Sequence, residues 1–255
     1  MASYSACRTI LVVPCYNEAN RLDAEKYRSF LRCNPEVGLL FVDDGSIDGT
    51  CESLLSLQCG FEQQTGILRL RQNCGKAEAV RAGLLEALAR GATGYVGFWD
   101  ADLATPLSTV RQFVQVLDER PGIDCVFGAR VKLLGRNIQR DPVRHYLGRV
   151  FATVVSTMLS LPVYDTQCGA KLFRVRRELK GILDEPFLSR WVFDVEILAR
   201  LQRTSVTRRA SIENSIVEYP LEAWCDVGGS KVKPSDFLTA MKDILRIYFR
   251  YRLRK

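Results

Sequence analysis

Two acidic residues stand one position apart in the segment FWDADLATP, residues 98–106, at the end of an apolar run. Carboxylates this close repel each other, and a charge at the end of a buried segment is costly unless an opposite charge lies beside it. Asp100 and Asp102 therefore predict a bound divalent metal ion, and their hard oxygen ligands favour Mg²⁺ or Mn²⁺. An Asp at a strand end also serves as a helix N-cap or a turn residue, so the pair alone is a weak signal.

Strand-like and helix-like segments alternate through the first half of the chain. Apolar, β-branched runs predict strands at residues 9–14, 37–42, 66–70, 95–102 and 123–130. The segment KAEAVRAGLLEALARG places Val80, Leu84 and Leu88 four residues apart and ends at Gly91, which is typical of an amphipathic helix with a glycine stop. Strands separated by helices predict right-handed crossovers, and hence an α/β fold with a mainly parallel sheet.

Polar side chains follow several of the predicted strands. In open parallel sheets, ligands bind beyond the carboxyl ends of the strands. The polar residues expected at that edge are Tyr16, Asn17, Glu18, Asp43, Asp44, Asp100, Asp102 and Arg130. Several acids meeting at one edge would titrate at raised pH unless a cation sat among them, and this strengthens the prediction of a metal site.

The balance of charged residues restricts the partners of the chain. Its 36 Lys and Arg exceed its 29 Asp and Glu, which gives a formal net charge of +7 and favours an anionic partner such as a nucleotide phosphate, a nucleic acid or an acidic membrane. Nucleic acid is the weakest of these, because acids cluster where the sheet would bind it. Nine scattered cysteines without a CxxC pair, with a single histidine, predict reduced cytosolic thiols rather than a zinc site or a disulfide scaffold.

Seven segments occur in an order that resembles a known family: VVPCYNEANRL, FVDDGSIDGT, NCGKAEAVRAG, FWDADLATP, DTQCGAKLF, WVFDVEIL and VGGSKVK. The family is the family-2 glycosyltransferases of the GT-A fold, and within it the branch that acts on polyprenyl phosphates resembles this chain most, above all the dolichyl-phosphate β-glucosyltransferases. The resemblance runs from about residue 9 to residue 250. The first two segments mark only the superfamily, whereas DTQCGAKLF, WVFDVE and GGSK are far more specific.

The resemblance implies a site for a sugar nucleotide. The residues that match the pocket for its base and ribose are Pro14, Tyr16, Asn17, Glu18 and Asp44. Gly75 and Lys76 match a loop that also touches the nucleotide. Asp100 and Asp102 match the pair that holds the metal and, through it, the diphosphate. Lys231 matches a lysine that approaches the diphosphate from a C-terminal loop.

The resemblance also implies an acceptor and a sugar subsite. Arg130 and Arg144 match arginines that face the acceptor phosphate, and guanidinium groups bind phosphate in a bidentate manner. Asp165, Gln167 and Asp194 lie in segments that line the sugar site. Asp194 also suits a helix N-terminus, where it would accept from backbone N–H groups.

The expected activity is that of an inverting, metal-dependent hexosyltransferase that moves glucose from UDP-glucose to a polyprenyl phosphate. Two acids and a metal would neutralise the diphosphate leaving group. A lipid phosphate is already a competent nucleophile, so Arg130 and Arg144 would need only to position it, whereas a hydroxyl acceptor would need a base such as Asp194. Mannose from GDP-mannose, a soluble or polysaccharide acceptor, and an inactive sugar-nucleotide-binding protein are the alternatives, and the intact Asp100 and Asp102 oppose the last.

The C-terminal segment, residues 233–255, predicts a basic amphipathic helix that follows a catalytic domain at residues 1–232. Lys242, Arg246, Arg250 and Arg254 recur at intervals of four. A separate apolar face is expected from Phe237, Met241, Ile244, Tyr248 and Tyr251. This pattern is typical of peripheral membrane binding, and a terminal helix packed on the domain is its alternative. No apolar run is long enough to span a bilayer, so we expect a soluble or peripheral protein at the cytoplasmic face of a membrane.

Overall fold

The computed structural model describes residues 7–207, 212–227 and 234–252. Its strands are β1 (Thr9–Cys15), β2 (Val37–Asp43), β3 (Thr65–Arg69), β4 (Tyr95–Trp99), β5 (Cys125–Ala129), β6 (Asn137–Gln139), β7 (Ala170–Arg174), β8 (Ile216–Pro220) and β9 (Ala223–Cys225). Its helices are α1 (Ala24–Cys33), α2 (Thr50–Gln58), α3 (Lys76–Ala89), α4 (Thr109–Glu119), α5 (Pro142–Leu159), α6 (Arg177–Leu183), α7 (Phe193–Thr207) and α8 (Pro234–Arg252). The five strands predicted from the sequence correspond to β1 through β5.

Seven strands form one sheet in the order β3-β2-β1-β4-β7-β5-β8, and β6 pairs with β9 in a separate two-stranded sheet. Neighbours in the large sheet are parallel, except that β7 runs antiparallel between β4 and β5. The predicted α/β fold with a mainly parallel sheet is therefore confirmed. Because β7 is reversed, the loop that enters it lies at the same edge as the carboxyl ends of β4 and β5.

Both faces of the sheet are covered by apolar side chains. Alternate residues of β1 enter different clusters, so Val12 packs in the core on one face and Leu11 in the core on the other. Helix α3 contributes Val80 and Leu84 to the first of these cores, as its four-residue spacing predicts. Because α3 starts at Lys76, this packing holds that lysine at the carboxyl edge of the sheet.

Helix α8 packs against the domain through the face that the sequence assigned to a membrane. Ile244 and Ile247 are buried in the core that contains α3, and Met241 and Tyr251 pack against it. The Tyr251 hydroxyl also donates to Glu196 of α7, at 2.7 Å. The alternative of a terminal helix packed on the domain therefore holds for Met241, Ile244 and Tyr251, whereas peripheral membrane binding stays a prediction.

The outer side of α8 carries the exposed apolar residues of the helix. Leu245 and Phe249 are about half exposed. Lys242, Arg246 and Arg250 surround them, and together these side chains line an open groove. Within the part of the chain that the structure describes, no helix combines the length and apolar character needed to cross a membrane. The predicted boundary between residues 232 and 233 falls outside the described residues and stays a prediction, as does the role of Arg254.

Candidate active site

Asp100 and Asp102 lie in the turn after β4, beside the loop that leads into β7. The backbone N–H of Asp100 donates to the Gly169 carbonyl, with an N to O distance of 2.9 Å. A Cβ at position 169 would overlap the Asp100 carboxylate, so any larger residue there would displace that carboxylate. The Asp102 carboxylate accepts from the backbone N–H of Ala104 at 3.1 Å. The segments FWDADLATP and DTQCGAKLF, far apart in sequence, therefore form one unit of the site.

Basic side chains already balance both carboxylates. The Lys76 ammonium lies 2.5 Å from Asp100 Oδ1, and an Arg21 guanidinium nitrogen lies 3.2 Å from Asp102 Oδ2. Burial, and secondarily the charge of Asp100, raises the pKa of Asp102. Partial burial lowers the pKa of Lys76, but Asp100, Asp194 and Asp102 together more than offset this, so the net shift is upward. The repulsion between the two acids predicted a metal ion as the source of positive charge, and the chain itself supplies two further cations, Lys76 and Arg21.

The same two carboxylates are the residues that could hold a metal ion. Both side chains are partly exposed, and among the described residues the only partner of Asp100 Oδ1 is the Lys76 ammonium. In the three described ranges there is no cluster of three or more His, Cys, Asp or Glu side chains suited to a metal. A hard cation held by two carboxylates would therefore take its remaining ligands from water and from substrate phosphates, which is the usual binding mode of Mg²⁺. The donor set fits such an ion.

Asp44 organises the loop between β3 and α3. Its carboxylate accepts from the backbone N–H groups of Cys74 and Gly75, at 2.7 and 2.8 Å, and from the Asn73 side chain at 3.1 Å. Burial raises the pKa of Asp44, and the two backbone N–H groups partly offset that shift. Arg190 closes the loop from the other side, because it donates to the Asn73 side chain at 2.7 Å. The predicted nucleotide residues Asp44 and Gly75 are thus brought together.

The remaining predicted nucleotide residues lie at the end of β1 or just after it: Pro14, Tyr16, Asn17 and Glu18. The backbone N–H of Asn17 donates to the Ser46 hydroxyl, and its side-chain oxygen accepts from the backbone N–H of Ile47, both at 3.0 Å. The backbone N–H of Glu18 donates to the Thr50 hydroxyl at 2.8 Å. Asn17 has a φ of 52°, a left-handed conformation that Asn adopts more readily than most residues. The loops after β1 and β2 are therefore bonded into one wall of the site.

Arg130 and Asp165 form a buried ion pair. Nε and one Nη of Arg130 donate to the two Asp165 oxygens, at 2.6 and 2.8 Å. Although burial opposes ionisation of both groups, their mutual attraction holds the pKa of Asp165 far below its ordinary value and raises that of Arg130. Glu218 accepts from the backbone N–H of Asp165 at 2.8 Å. Residues predicted for the acceptor and for the sugar subsite are thus partners of each other.

Asp194, the other predicted sugar-site acid, pairs with a lysine that the sequence analysis missed. Lys171 is fully buried, and its ammonium lies 2.5 Å from Asp194 Oδ1. It also donates to the carbonyls of Thr166 and Cys168, at 2.9 and 2.6 Å. Burial raises the pKa of Asp194, and Lys171 counteracts that rise. A lysine within the apolar strand AKLF was the available signal, because a buried lysine requires a partner.

Three other predicted site residues, Gln167, Lys231 and Arg144, have few or no described side-chain contacts. Gln167 donates its backbone N–H to Asp165 at 3.2 Å, and its buried side-chain nitrogen has no hydrogen-bond partner among the described residues. Lys231 and the side chain of Arg144 lie outside the part of the chain that the structure describes. Arg21 and Arg190 were also missed by the sequence analysis, because nothing in their local sequence indicates the distant partners that they contact.

The fold and the site together define the class of the protein. A mainly parallel sheet presents paired carboxylates after β4 and an anchored loop before α3, which is the arrangement of a GT-A glycosyltransferase. Residues 10–178 match the family model described as "Glycosyl transferase family 2". That match spans more than half of the chain, so the chain belongs to glycosyltransferase family 2, as its motifs predicted.

Relatives with assigned activities resemble nearly the whole chain. A dolichyl-phosphate β-glucosyltransferase from Dictyostelium discoideum is 32% identical over 95% of this chain and 74% of its own length. The enzyme of that name from Saccharomyces cerevisiae is also 32% identical, over 95% of this chain and 75% of its own. The human enzyme of that name is 30% identical, over 94% of this chain and 75% of its own length.

Solved structures support the fold assignment. Glucosyl-3-phosphoglycerate synthase from Mycobacterium tuberculosis, in complex with Mn²⁺, UDP and glucosyl-3-phosphoglycerate, superposes with a TM-score of 0.65 at 19% identity over 98% of this chain and 81% of that one. A mannosyltransferase from Pyrobaculum calidifontis in complex with GDP-mannose and Mn²⁺ gives a TM-score of 0.61 at 19% identity, over 100% of this chain and 67% of that one. At such identities the likeness establishes the GT-A fold alone.

Proposed function

We propose that this glycosyltransferase moves glucose from UDP-glucose to dolichyl phosphate or another polyprenyl phosphate, with inversion at the anomeric carbon. The observation that carries the proposal is the 30–32% identity, over almost the entire chain, to relatives named for that β-glucosyl transfer. The paired acids after β4 support it, because transfer from a sugar nucleotide requires neutralisation of a diphosphate leaving group.

The donor half of the site suits a nucleoside diphosphate. The wall built by Asn17 and Glu18 and the loop anchored by Asp44 supply the proposed pocket for base and ribose. Asp100 and Asp102 would hold Mg²⁺ or Mn²⁺, which when bound supplies Lewis-acid stabilisation of the departing diphosphate. Lys231 would add a further positive charge there, in keeping with the family resemblance.

The acceptor half of the site needs cations more than it needs a base. The oxygen of a phosphate monoester is already anionic near neutral pH, so the protein has only to hold it in line with the anomeric carbon. Arg130 and Arg144 are the residues proposed for that task from the resemblance. Asp194 and Gln167 would line the sugar subsite, where the Lys171 ammonium, 2.5 Å from Asp194, counteracts the effect of burial on that carboxylate.

We assign a peripheral membrane contact to the outer side of α8, at the cytoplasmic face of the membrane that carries the lipid. Leu245 and Phe249 are exposed between Lys242, Arg246 and Arg250. Each basic residue near an anionic surface contributes roughly 1 kcal/mol, and apolar side chains at the same place add buried area. This surface contains Lys242, Arg246 and Arg250 of the predicted basic stripe, whereas Met241, Ile244 and Tyr251 of the predicted apolar face pack against the domain.

The proposed reaction is tested by incubating purified protein with UDP-glucose, GDP-mannose and other labelled sugar nucleotides, with Mg²⁺ or Mn²⁺. Dolichyl phosphate and a short polyprenyl phosphate serve as lipid acceptors, and a soluble phosphate ester serves as the comparison. We expect lipid-linked glucose from UDP-glucose, which is lost in Asp102→Asn and retained in the exposed control Asp184→Asn. Preferential use of GDP-mannose or of the soluble acceptor would instead establish one of the alternative activities.

The membrane contact is tested by sedimentation with phosphatidylcholine vesicles that contain phosphatidylserine. Replacement of Lys242, Arg246 and Arg250 by Gln should release the protein, and high salt should do so in part, because the attraction is screened. A control removes the same charge elsewhere, at three exposed basic residues on α1 and at the end of α4: Lys26, Arg32 and Arg120. If both triple variants bind vesicles equally well, the surface on α8 is not the membrane contact.

A further inference from the structure

The positive charge of Arg130 is largely neutralised by Asp165. Its guanidinium is bonded to both oxygens of Asp165, its backbone N–H donates to the same carboxylate at 3.1 Å, and its guanidinium carbon lies 5.2 Å from the centre of the Trp224 ring. A neutralised, buried pair attracts a further anion weakly. An acceptor phosphate placed beside Arg130 therefore needs another cation.

Arg140 supplies such a cation at the same place. It follows β6, and the pairing of β6 with β9 fixes its backbone, with the Gln139 carbonyl accepting from Asp226 at 3.0 Å. Arg140 is partly buried, and among the described residues its guanidinium makes neither a hydrogen bond nor an ion pair. Trp224, whose ring lies over the Arg130 guanidinium, is the β9 partner of Ile138, two residues before Arg140. Burial and the charge of Arg130 lower the pKa of Arg140, and the carboxylates of Asp165 and Asp226 act in the opposite direction.

Gly148 of α5 is the residue that makes room for this guanidinium. A Cβ at position 148 would lie 2.6 Å from one terminal nitrogen of Arg140, which is too close for the side chain to stay where it is. Glycine within a helix otherwise costs about 1 kcal/mol relative to alanine. The side chain of Arg140 thus occupies a recess that depends on the absence of a side chain on α5.

We propose that Arg140, seated against Gly148 beside the Arg130–Asp165 pair, binds the phosphate of the acceptor. A guanidinium offers five N–H donors in a planar fork that matches phosphate oxygens, and those of Arg140 are not engaged by the described part of the protein. The Arg130–Asp165 pair forms the adjoining wall and fixes its shape. The identity of the acceptor as a polyprenyl phosphate rests on the proposed function, whereas the assignment of a phosphate to Arg140 does not.

The test compares Arg140→Gln with Arg136→Gln, a matched control on the same segment whose guanidinium pairs with Glu222 at 3.0 Å. KM is measured for a short polyprenyl phosphate and, separately, for UDP-glucose. We expect Arg140→Gln to raise the acceptor KM about 10- to 100-fold, the loss of a charge-assisted hydrogen bond, and to leave the KM for UDP-glucose within about twofold. Arg136→Gln should match the wild type in both.

Gly148→Ala provides an independent variant that leaves Arg140 in the sequence. It should displace the guanidinium and raise the acceptor KM without lowering the melting temperature, because alanine favours the helix. Equal acceptor KM values for Arg140→Gln and Arg136→Gln, or an equal rise in both substrate KM values, would overturn the proposal. If the wild type accepts no polyprenyl phosphate, the proposed function fails. Calorimetric titration with inorganic phosphate then tests the assignment of Arg140 by itself. An unchanged affinity for phosphate in Arg140→Gln overturns that assignment, and a weakened affinity supports it.

Discussion

Replacing Lys171 by methionine should destabilise the protein strongly. Methionine keeps much of the length of the side chain but removes the ammonium that lies 2.5 Å from Asp194 and donates to two carbonyl oxygens. Asp194 is itself almost completely buried, so it would be left as a charge without a partner. Breaking a buried pair in this way costs about 3–5 kcal/mol. For a chain of this size each kcal/mol lowers Tm by roughly 2–4 °C, so a drop of roughly 6–20 °C is expected.

The effect should depend on pH with a definite sign. Without Lys171, burial raises the pKa of Asp194 further above its value in the unfolded chain. An acid whose pKa is raised by folding lowers the stability of the folded state as pH rises from the unfolded pKa to the raised one, and the penalty disappears once the acid is protonated in both states. The deficit of Lys171→Met relative to the wild type should therefore be largest near pH 8 and should shrink as the pH is lowered toward 4.

Thermal and urea unfolding, followed by circular dichroism, measure this deficit. Lys171→Met combined with Asp194→Asn should be more stable than Lys171→Met alone, because no lone charge stays buried. The exposed Lys180→Met on α6 is the control, and its free energy of unfolding should stay within about 0.5 kcal/mol of the wild type. A deficit that is constant from pH 5 to pH 8, or a double variant no more stable than the single one, would refute the reasoning.

Three further predictions concern the site. Gly169→Ala should abolish transfer, because its Cβ would overlap the Asp100 carboxylate, and a normal turnover rate in that variant would contradict the packing. Lys231→Ala should weaken donor binding by about 1.5–3 kcal/mol if its ammonium bonds the diphosphate, so an unchanged KM for UDP-glucose would exclude that contact. Arg190→Ala should raise the KM for UDP-glucose more than the acceptor KM, because Arg190 holds the loop at Asn73, and equal changes in both would place its role elsewhere.

The sequence predicts those parts of the fold that depend on local patterns. Strands β1 through β5 are mostly apolar, and α3 has the four-residue spacing of Val80 and Leu84, so each element could be located from its own residues. The reversal of β7 could not be predicted, because the direction of a strand is set by pairing with β4 and β5 across long sequence separations. The general rule that ligands bind beyond strand ends located Asp44 and Asp100 all the same.

Ion pairs explain why the site itself was only partly predictable. The sequence identified the acids as a group and inferred a cation from their mutual repulsion. It did not identify Arg21 or Lys171 as partners, because each contact joins elements that only the folded sheet brings together. Lys76 was identified through its motif. Its ion pair with Asp100 depends on the packing of α3 against the sheet, which the motif does not indicate.

The buried pairs of the site are suited to a structural role. Lys171 and Asp194 have side chains that are 0% and 7% exposed, and Arg130 and Asp165 are 12% and 8% exposed. Water cannot replace a lost partner at such depths, so separating either pair would leave an uncompensated charge. A substrate phosphate beside Arg130 is therefore not expected to displace Asp165, and Arg140, which forms no ion pair among the described residues, is the cation better able to bind it.

The pairs at the carboxyl edge have the opposite character. The side chains of Lys76 and Asp100 are 39% and 34% exposed, and those of Arg21 and Asp102 are 23% and 25% exposed. Ion pairs that reach solvent are held by at most about 1 kcal/mol, so their partners exchange easily. A diphosphate that arrives at this edge can take Lys76 from Asp100, and the carboxylate is then available for another cation. Neutralising Lys76 should thus weaken donor binding with little loss of stability, in contrast to Lys171, although both lysines lie 2.5 Å from an aspartate.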